Sequence, residues 1–133
     1  MKYLLDTYVW IKAETDPQSL GRRCRTILAD QTNQLFVSSI STLEIAQLAY
    51  RKRITLLTDL SEWVRRSCDN LQIQTISLDH EIAIAAYNLP EQFHKDPADR
   101  VLVATSRLHQ IPLVTTDENI ISGNFARCVN ARK

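Results

Sequence analysis

Short apolar runs alternate along this chain with amphipathic stretches, and two of the runs stop at an aspartate. Lys2–Leu5 reads as a strand ending at Asp6, and PLVTT, beginning at Pro112, as a strand ending at Asp117. QLFVSS (34–39) is a compact apolar strand, LQIQTIS (71–77) alternates apolar and polar residues, and ARCVN (126–130) is a short final strand. Helical stretches fill the gaps. One runs through Val9, Trp10 and Ala13, and one from Pro17 to Asp30, with proline suiting its first turn. Another starts at about Thr42, capped by Ser41 or Ser39, and reaches about Lys52. Residues 59–69 are helical. From Asp79, Ile82, Ala85, Ala86 and Leu89 recur at helical spacing until Pro90 stops them. Asp96-Pro97 opens the last helix, which runs to about Gln110. Strands separated by helices of this length predict an α/β fold, a three-layer α/β/α sandwich around a mainly parallel sheet. A chain of 133 residues fits one domain over 1–133.

In such sheets ligands sit beyond the carboxyl ends of the strands, where strand order reverses. That singles out Asp6 and Asp117. Each also has a plain structural use, as the cap of a following helix or a turn residue. Glu44 lies within an apolar arc, with Ile40 and Leu48 four residues to either side and Ile45 beside it. A carboxylate there loses hydration and needs a cation or a donor, either a metal ion or an arginine. Asp96 suits an N-cap and Asp99 the third helical position, where a carboxylate favours the helix dipole. The run Val101–Ala104 that follows is apolar all round, so the acidic end of this helix is held inside the fold.

Four close carboxylates repel, and a divalent cation relieves them. All-oxygen ligation suits Mg²⁺ or Mn²⁺ rather than zinc. His80, His94 and His109 are dispersed, and Cys24, Cys68 and Cys128 form no CxxC pair, so no zinc site or disulfide framework is expected. With only Gly21 and Gly123, every glycine-rich phosphate loop is excluded. The net charge of +1 neither supports nor excludes a nucleic-acid substrate. Arg22, Arg23 and Arg25, and Arg51, Lys52 and Arg53, form clusters that suit either phosphates or solvent. The N-terminal stretch is short in its apolar part and soon acidic, so a signal peptide is not expected, and no apolar run nears the ~20 residues that span a bilayer. A soluble, cytoplasmic protein without membrane contact is expected. Of Trp10, Tyr50, Trp63 and Phe93, most are expected in the core.

LLDTYVW, SSISTLEIA, LPEQFHKDPADRVLVATSRL and IPLVTTDENI, in this order and spacing, resemble the PIN-domain ribonucleases, and within them the VapC-type toxins of toxin–antitoxin pairs. The resemblance covers nearly the whole chain. It implies that Asp6, Glu44, Asp99 and Asp117 are the catalytic, metal-binding acids, with Mg²⁺ or Mn²⁺ as cofactor. It makes Asp96 a supporting acid and Thr7 and Thr115 hydroxyls behind the acids. Arg100, beside Asp99, is expected to anchor a phosphate or, preferably, a neighbouring carboxylate. Leu43 stands where the family often has an aromatic, and DPADR replaces DPFDR; neither change touches an acid. The implied activity is hydrolysis of RNA phosphodiester bonds by metal-activated water, leaving 5′-phosphate and 3′-hydroxyl ends. The implied partners are an RNA substrate, a cognate antitoxin whose tail covers the acidic cleft, and a second copy of the chain. One alternative is a catalytically silent PIN-like module that binds RNA or protein. Phosphatases of the haloacid dehalogenase type and receiver domains fit poorly: Asp6 is followed by Thr7 and Tyr8 rather than completing a DxD.

Overall fold

The computed structural model describes residues 1–90, 93 and 95–133. His94, one of the dispersed histidines, lies outside the described residues. Five strands carry the architecture: β1 (Lys2–Leu5), β2 (Gln34–Ser38), β3 (Ile73–Ile76), β4 (Leu113–Thr115) and β5 (Cys128–Asn130). The described helices are α1 (Thr7–Thr15), α2 (Arg22–Ala29), α3 (Ser39–Tyr50), α4 (Leu60–Leu71), α5 (His80–Ala86), α6 (Pro97–His109) and α7 (Glu118–Gly123). The strands form one sheet in the order β3-β2-β1-β4-β5, every pairing parallel. The chain winds outward from β1 through β2 to β3, then returns to place β4 on the other side of β1. Strand order therefore reverses between β1 and β4, and a crevice opens at their carboxyl ends.

Side-chain alternation sorts the strands into two cores. Tyr3, Leu5, Leu35, Val37, Val114 and Val129 face one side, where Val9, Trp10, Cys24, Ile45 and Trp63 cover them. Leu4 and Leu113 face the other, against Phe93, Leu102, Val103 and Ile120. The result is the expected three-layer sandwich, with both faces of the parallel sheet covered. Trp10 anchors the first core: it is fully buried, packs against Trp63 with ring planes tilted 54° and centroids 5.3 Å apart, and its Nε1 donates to Ser67 Oγ at 2.8 Å. Trp10, Trp63 and Phe93 are core residues as expected, whereas Tyr50 is 89% exposed. Among the described residues, no helix is long and apolar enough to cross a membrane.

Several element boundaries differ from expectation for local reasons. The helix expected over 17–30 is two pieces. Pro17–Ser19 is a single 3-10 turn, and Gly21 restarts the chain as the N-cap of α2. Gly21 N donates to Ala131 O at 2.8 Å, and a Cβ there would run into the backbone of Arg132 and Lys133, so only glycine fits. Helix α3 begins at Ser39 rather than Thr42, because Ser38, still extended, accepts from Ile40 N at 3.1 Å and caps the helix itself. Neither Ser39 nor Ser41 is the cap. Ser39 Oγ accepts from Leu78 N at 2.9 Å, and Ser41 is buried. Helix α5 stops at Ala86, short of Leu89. The β3 strand is Ile73–Ile76, since Leu71 still belongs to α4. The final strand is shorter than expected, and α7, between β4 and β5, was not expected at all.

Candidate active site

The crevice at the strand ends is an open cleft of about 730 Å³ whose walls include Asp6, Glu44, Asp99 and Asp117. The four acids come from four different segments; Asp6 and Asp117 are helix caps, and a third cap, Asp96, sets the position of Asp99. Asp6 leaves β1 with φ −74° and ψ 172°, and its Oδ1 accepts from Val9 N at 2.7 Å, starting α1. Asp117 caps α7 in the same way, its Oδ1 accepting from Asn119 N at 2.9 Å and Ile120 N at 3.1 Å. Asp96 caps α6 by accepting from Asp99 N at 2.9 Å, which fixes Asp99 in the first turn with its carboxyl toward the cleft. Asp6, Asp117 and Asp96 thus meet backbone N–H groups at a helix start, where negative charge is favoured. The capping use weighed for these residues is real and leaves other lone pairs for chemistry.

Hydroxyls hold the rest. Thr115 Oγ1, at the end of β4, donates to Asp6 Oδ2 at 2.5 Å and accepts from Asp117 N at 3.0 Å, so one threonine ties the two strand-end acids together. Thr7 Oγ1 contacts Glu44 Oε1 and lies 2.8 Å from Ser41 Oγ. A carboxylate can only accept, so the Thr7 proton goes to Glu44 and the buried Ser41 hydroxyl donates to Thr7. Glu44 therefore has a hydroxyl as its partner, where an arginine was the protein-only expectation.

The electrostatics record the crowding. Asp6 keeps a rim of exposed surface, yet burial of its carboxyl pushes the pKa up to about 6; hydrogen bonds from Thr115 and Val9 oppose this, and the charges of Glu44 and Asp117 add to it. Burial also raises Asp99, to about 7, with Asp96, Glu44 and Asp117 adding repulsion against the attraction of Lys95. Glu44 is raised by burial against the pull of its Thr7 bond. Asp117 goes the other way. Burial is its largest single influence and raises it, but Lys95 and the N–H groups of Ile120 and Asn119 together outweigh burial and hold the carboxyl low.

Lys95 was not expected in the site. Its Nζ lies 2.8 Å from Asp117 Oδ2 and 3.9 Å from Asp99 Oδ2. The signal in the sequence was its place four residues before Asp99, immediately ahead of the cap. Ser41, three residues before Glu44 on the same helical face, was overlooked for the same purpose. Arg100 corrects an expectation. It reaches neither a carboxylate nor the cleft wall; its guanidinium donates to Phe93 O at 2.7 Å and Ala86 O at 3.2 Å and lies over the Tyr87 and Phe93 rings. The carbonyl of Ala86, at the end of α5, lacks a helical partner, and the planar fork of arginine suits two converging carbonyls.

Among the described residues, no three His, Cys, Asp or Glu side chains are gathered tightly enough to hold one ion as they stand. Protein donors instead meet the oxygens of Asp6, Glu44 and Asp117, namely Thr7, Thr115, Lys95 and the helix starts, while Asp99 has Lys95 at 3.9 Å. The chemistry of the donor set nonetheless fits a hard divalent cation: four carboxyl groups lining one cleft, two of them strained toward neutrality by burial, with no sulfur or nitrogen ligand among them.

The sequence profile of the PIN domain family matches residues 3–125. The chain belongs to the PIN domain family. It is 32% identical over 126 residues to Ribonuclease VapC22 of Mycobacterium tuberculosis, an alignment covering 95% of each protein. The fold of this PIN domain is shared with a toxin–antitoxin complex from Klebsiella pneumoniae, at TM-score 0.67 and 20% identity over 96% of both chains. It is also shared with VapBC2 from Rickettsia felis bound to a DNA fragment from their promoter, at TM-score 0.68 and 18% identity over 98% of this chain and 99% of that one. Membership of the PIN family removes the phosphatase and receiver alternatives.

Proposed function

We propose that this PIN domain is a divalent-metal-dependent endoribonuclease acting in the cytoplasm as the toxin of a toxin–antitoxin pair. The observation that carries the reading is that Asp6, Glu44, Asp99 and Asp117, from four separate segments, line one cleft at the switch point of the sheet. The similarity to a relative named as a ribonuclease supports the substrate class, and the fold shared with toxin–antitoxin complexes supports an antitoxin partner.

Asp6, Glu44, Asp99 and Asp117 would hold Mg²⁺ or Mn²⁺. Bound there, the ion supplies Lewis acidity, acidifying water and offsetting negative charge that grows on the phosphate. The side chains hold and orient. Thr115 fixes the Asp6 carboxyl relative to Asp117, and Thr7 with Ser41 fixes Glu44. Asp96 supports the site by fixing the first turn of α6. Water gives up a proton to solvent as it attacks phosphorus in line, the bond from phosphorus to the 3′-oxygen breaks, and the departing oxygen takes up a proton, leaving a 5′-phosphate and a 3′-hydroxyl. Each carboxylate emerges unchanged, with no covalent enzyme intermediate. An antitoxin segment covering the cleft silences the enzyme, and the active form is a homodimer.

The rival, a silent module that binds RNA or protein, draws on one observation: Asp6, Glu44 and Asp117 already have protein donors on their carboxyl oxygens. RNA cleavage separates the two. Wild-type protein with Mg²⁺ cuts RNA, and EDTA abolishes the cutting. Asp99→Asn and Asp117→Asn lose more than about 100-fold, because even a partner behind a ligand is worth roughly 10–100-fold. Full cleavage by both purified variants overturns the nuclease reading.

A further inference from the structure

We propose that Lys95 is a resident cation of the cleft, which a divalent metal ion must displace from Asp117 and Asp99. The inference rests on the nuclease reading and concerns how the metal gains its ligands.

Lys95 takes the oxygens that the fold leaves over. Asp117 gives Oδ1 to the start of α7, and Lys95 Nζ holds the remaining Oδ2 at 2.8 Å. The same ammonium reaches Asp99 Oδ2 at 3.9 Å. Among the described residues, no other lysine or arginine pairs with either acid. Arg100, the nearest candidate in sequence, is turned to the carbonyls of Phe93 and Ala86. Arg132, on the cleft rim, lies 3.9 Å from Glu118. The position of Lys95 is dictated by the backbone, since it directly precedes the Asp96 cap and Pro97 that launch α6.

An ammonium and a divalent ion cannot share the same carboxylate oxygens. One positive charge faces four carboxyl groups, so the cleft still attracts a doubly charged ion. Lysine suits a place-holder. Its charge is compact, and four methylenes let it swing into solvent without disturbing the helix start. Its side chain is 27% exposed, so a path outward exists. Metal affinity in the wild type is then weakened by the free energy of the lysine pair plus the repulsion between ammonium and incoming ion.

The test is calorimetric titration of metal-stripped protein with MnCl₂, on wild type, Lys95→Met, Lys95→Gln and Lys95→Arg. Exposed and half-exposed pairs are worth up to about 1 kcal/mol, a factor of about five, and the added repulsion extends this. Lys95→Met and Lys95→Gln should therefore bind Mn²⁺ about three- to tenfold more tightly, and Lys95→Arg should resemble wild type. In EDTA the two neutral variants should melt below wild type, and saturating Mn²⁺ should close that gap. Equal or weaker Mn²⁺ binding by both neutral variants, with wild type binding normally, overturns the role of Lys95 and leaves the nuclease reading standing. No Mn²⁺ binding by any of the four proteins overturns the metal reading, and the role of Lys95 falls with it.

Discussion

Replacing Asp6 by Asn removes a charge from the cleft while keeping the helix cap, since an amide oxygen can still accept from Val9 N. Burial raises the Asp6 pKa to about 6, against about 3.9 for an aspartate in an unfolded chain. The sign follows directly. Below pH ~4 the carboxyl is neutral in both states and contributes nothing. Between pH ~4 and ~6 the folded protein holds a proton that the unfolded chain releases, so stability falls as pH rises. Above pH ~6 the penalty is complete, at about 3 kcal/mol. The bond from Thr115 to the charged carboxylate lowers the Asp6 pKa and is therefore already contained in that penalty. Asp6→Asn should therefore stabilise the metal-free protein by about 3 kcal/mol at pH 7.5, and by well under about 1 kcal/mol at pH 4. With a urea slope of ~2 kcal/mol/M, the unfolding midpoint in EDTA should rise by about 1.5 M at pH 7.5. Saturating Mg²⁺ should close most of that gap, because an ion at 100 times its Kd adds about 2.7 kcal/mol to a protein that can bind it. A variant less stable than wild type at pH 7.5 in EDTA, or a difference that ignores pH, would refute the reasoning.

Thr7→Ala removes the hydroxyl that orients Glu44. RNA cleavage should fall about 10–100-fold with the circular dichroism spectrum unchanged, and Thr7→Ser should restore most of it. Arg100→Lys exchanges a two-carbonyl fork for a single ammonium and loses the contacts with Tyr87 and Phe93. Urea unfolding should show a loss of about 1–3 kcal/mol, while Mn²⁺ affinity stays as in wild type. A drop in metal affinity without loss of stability would return Arg100 to the acid cluster.

The sheet and both of its helical layers were legible because they rest on local pattern. Apolar runs such as LFV and PLV can hardly be anything but buried strands, and Asp6 and Asp117 stand where such strands end. The PIN resemblance was legible for the same reason, since its motifs mark those strand ends. Elements set by a competing local contact were not. Ser38 outbids Ser39 and Ser41 for the cap of α3 because only it combines extended backbone with a reach to Ile40 N. The split at Gly21 depends on backbone more than 100 residues away in sequence, which no window of pattern can contain. Arg100 and Lys95 show the same limit in the site. Both are cations near Asp99 in sequence, and only tertiary geometry sends one to carbonyls and the other to carboxylates.

The bond from Thr115 to Asp6 joins residues 109 positions apart. One of the four acids and the hydroxyl partner of another are therefore missing until β4 has slotted in beside β1, and β4 is among the last strands a ribosome makes. A growing chain that already carries Asp6, Glu44 and Asp99 still lacks Asp117 and the threonine that aligns it. If the cleft cuts RNA, as proposed, this order of events keeps the messenger and the ribosome producing it out of reach of that chemistry until synthesis is nearly done.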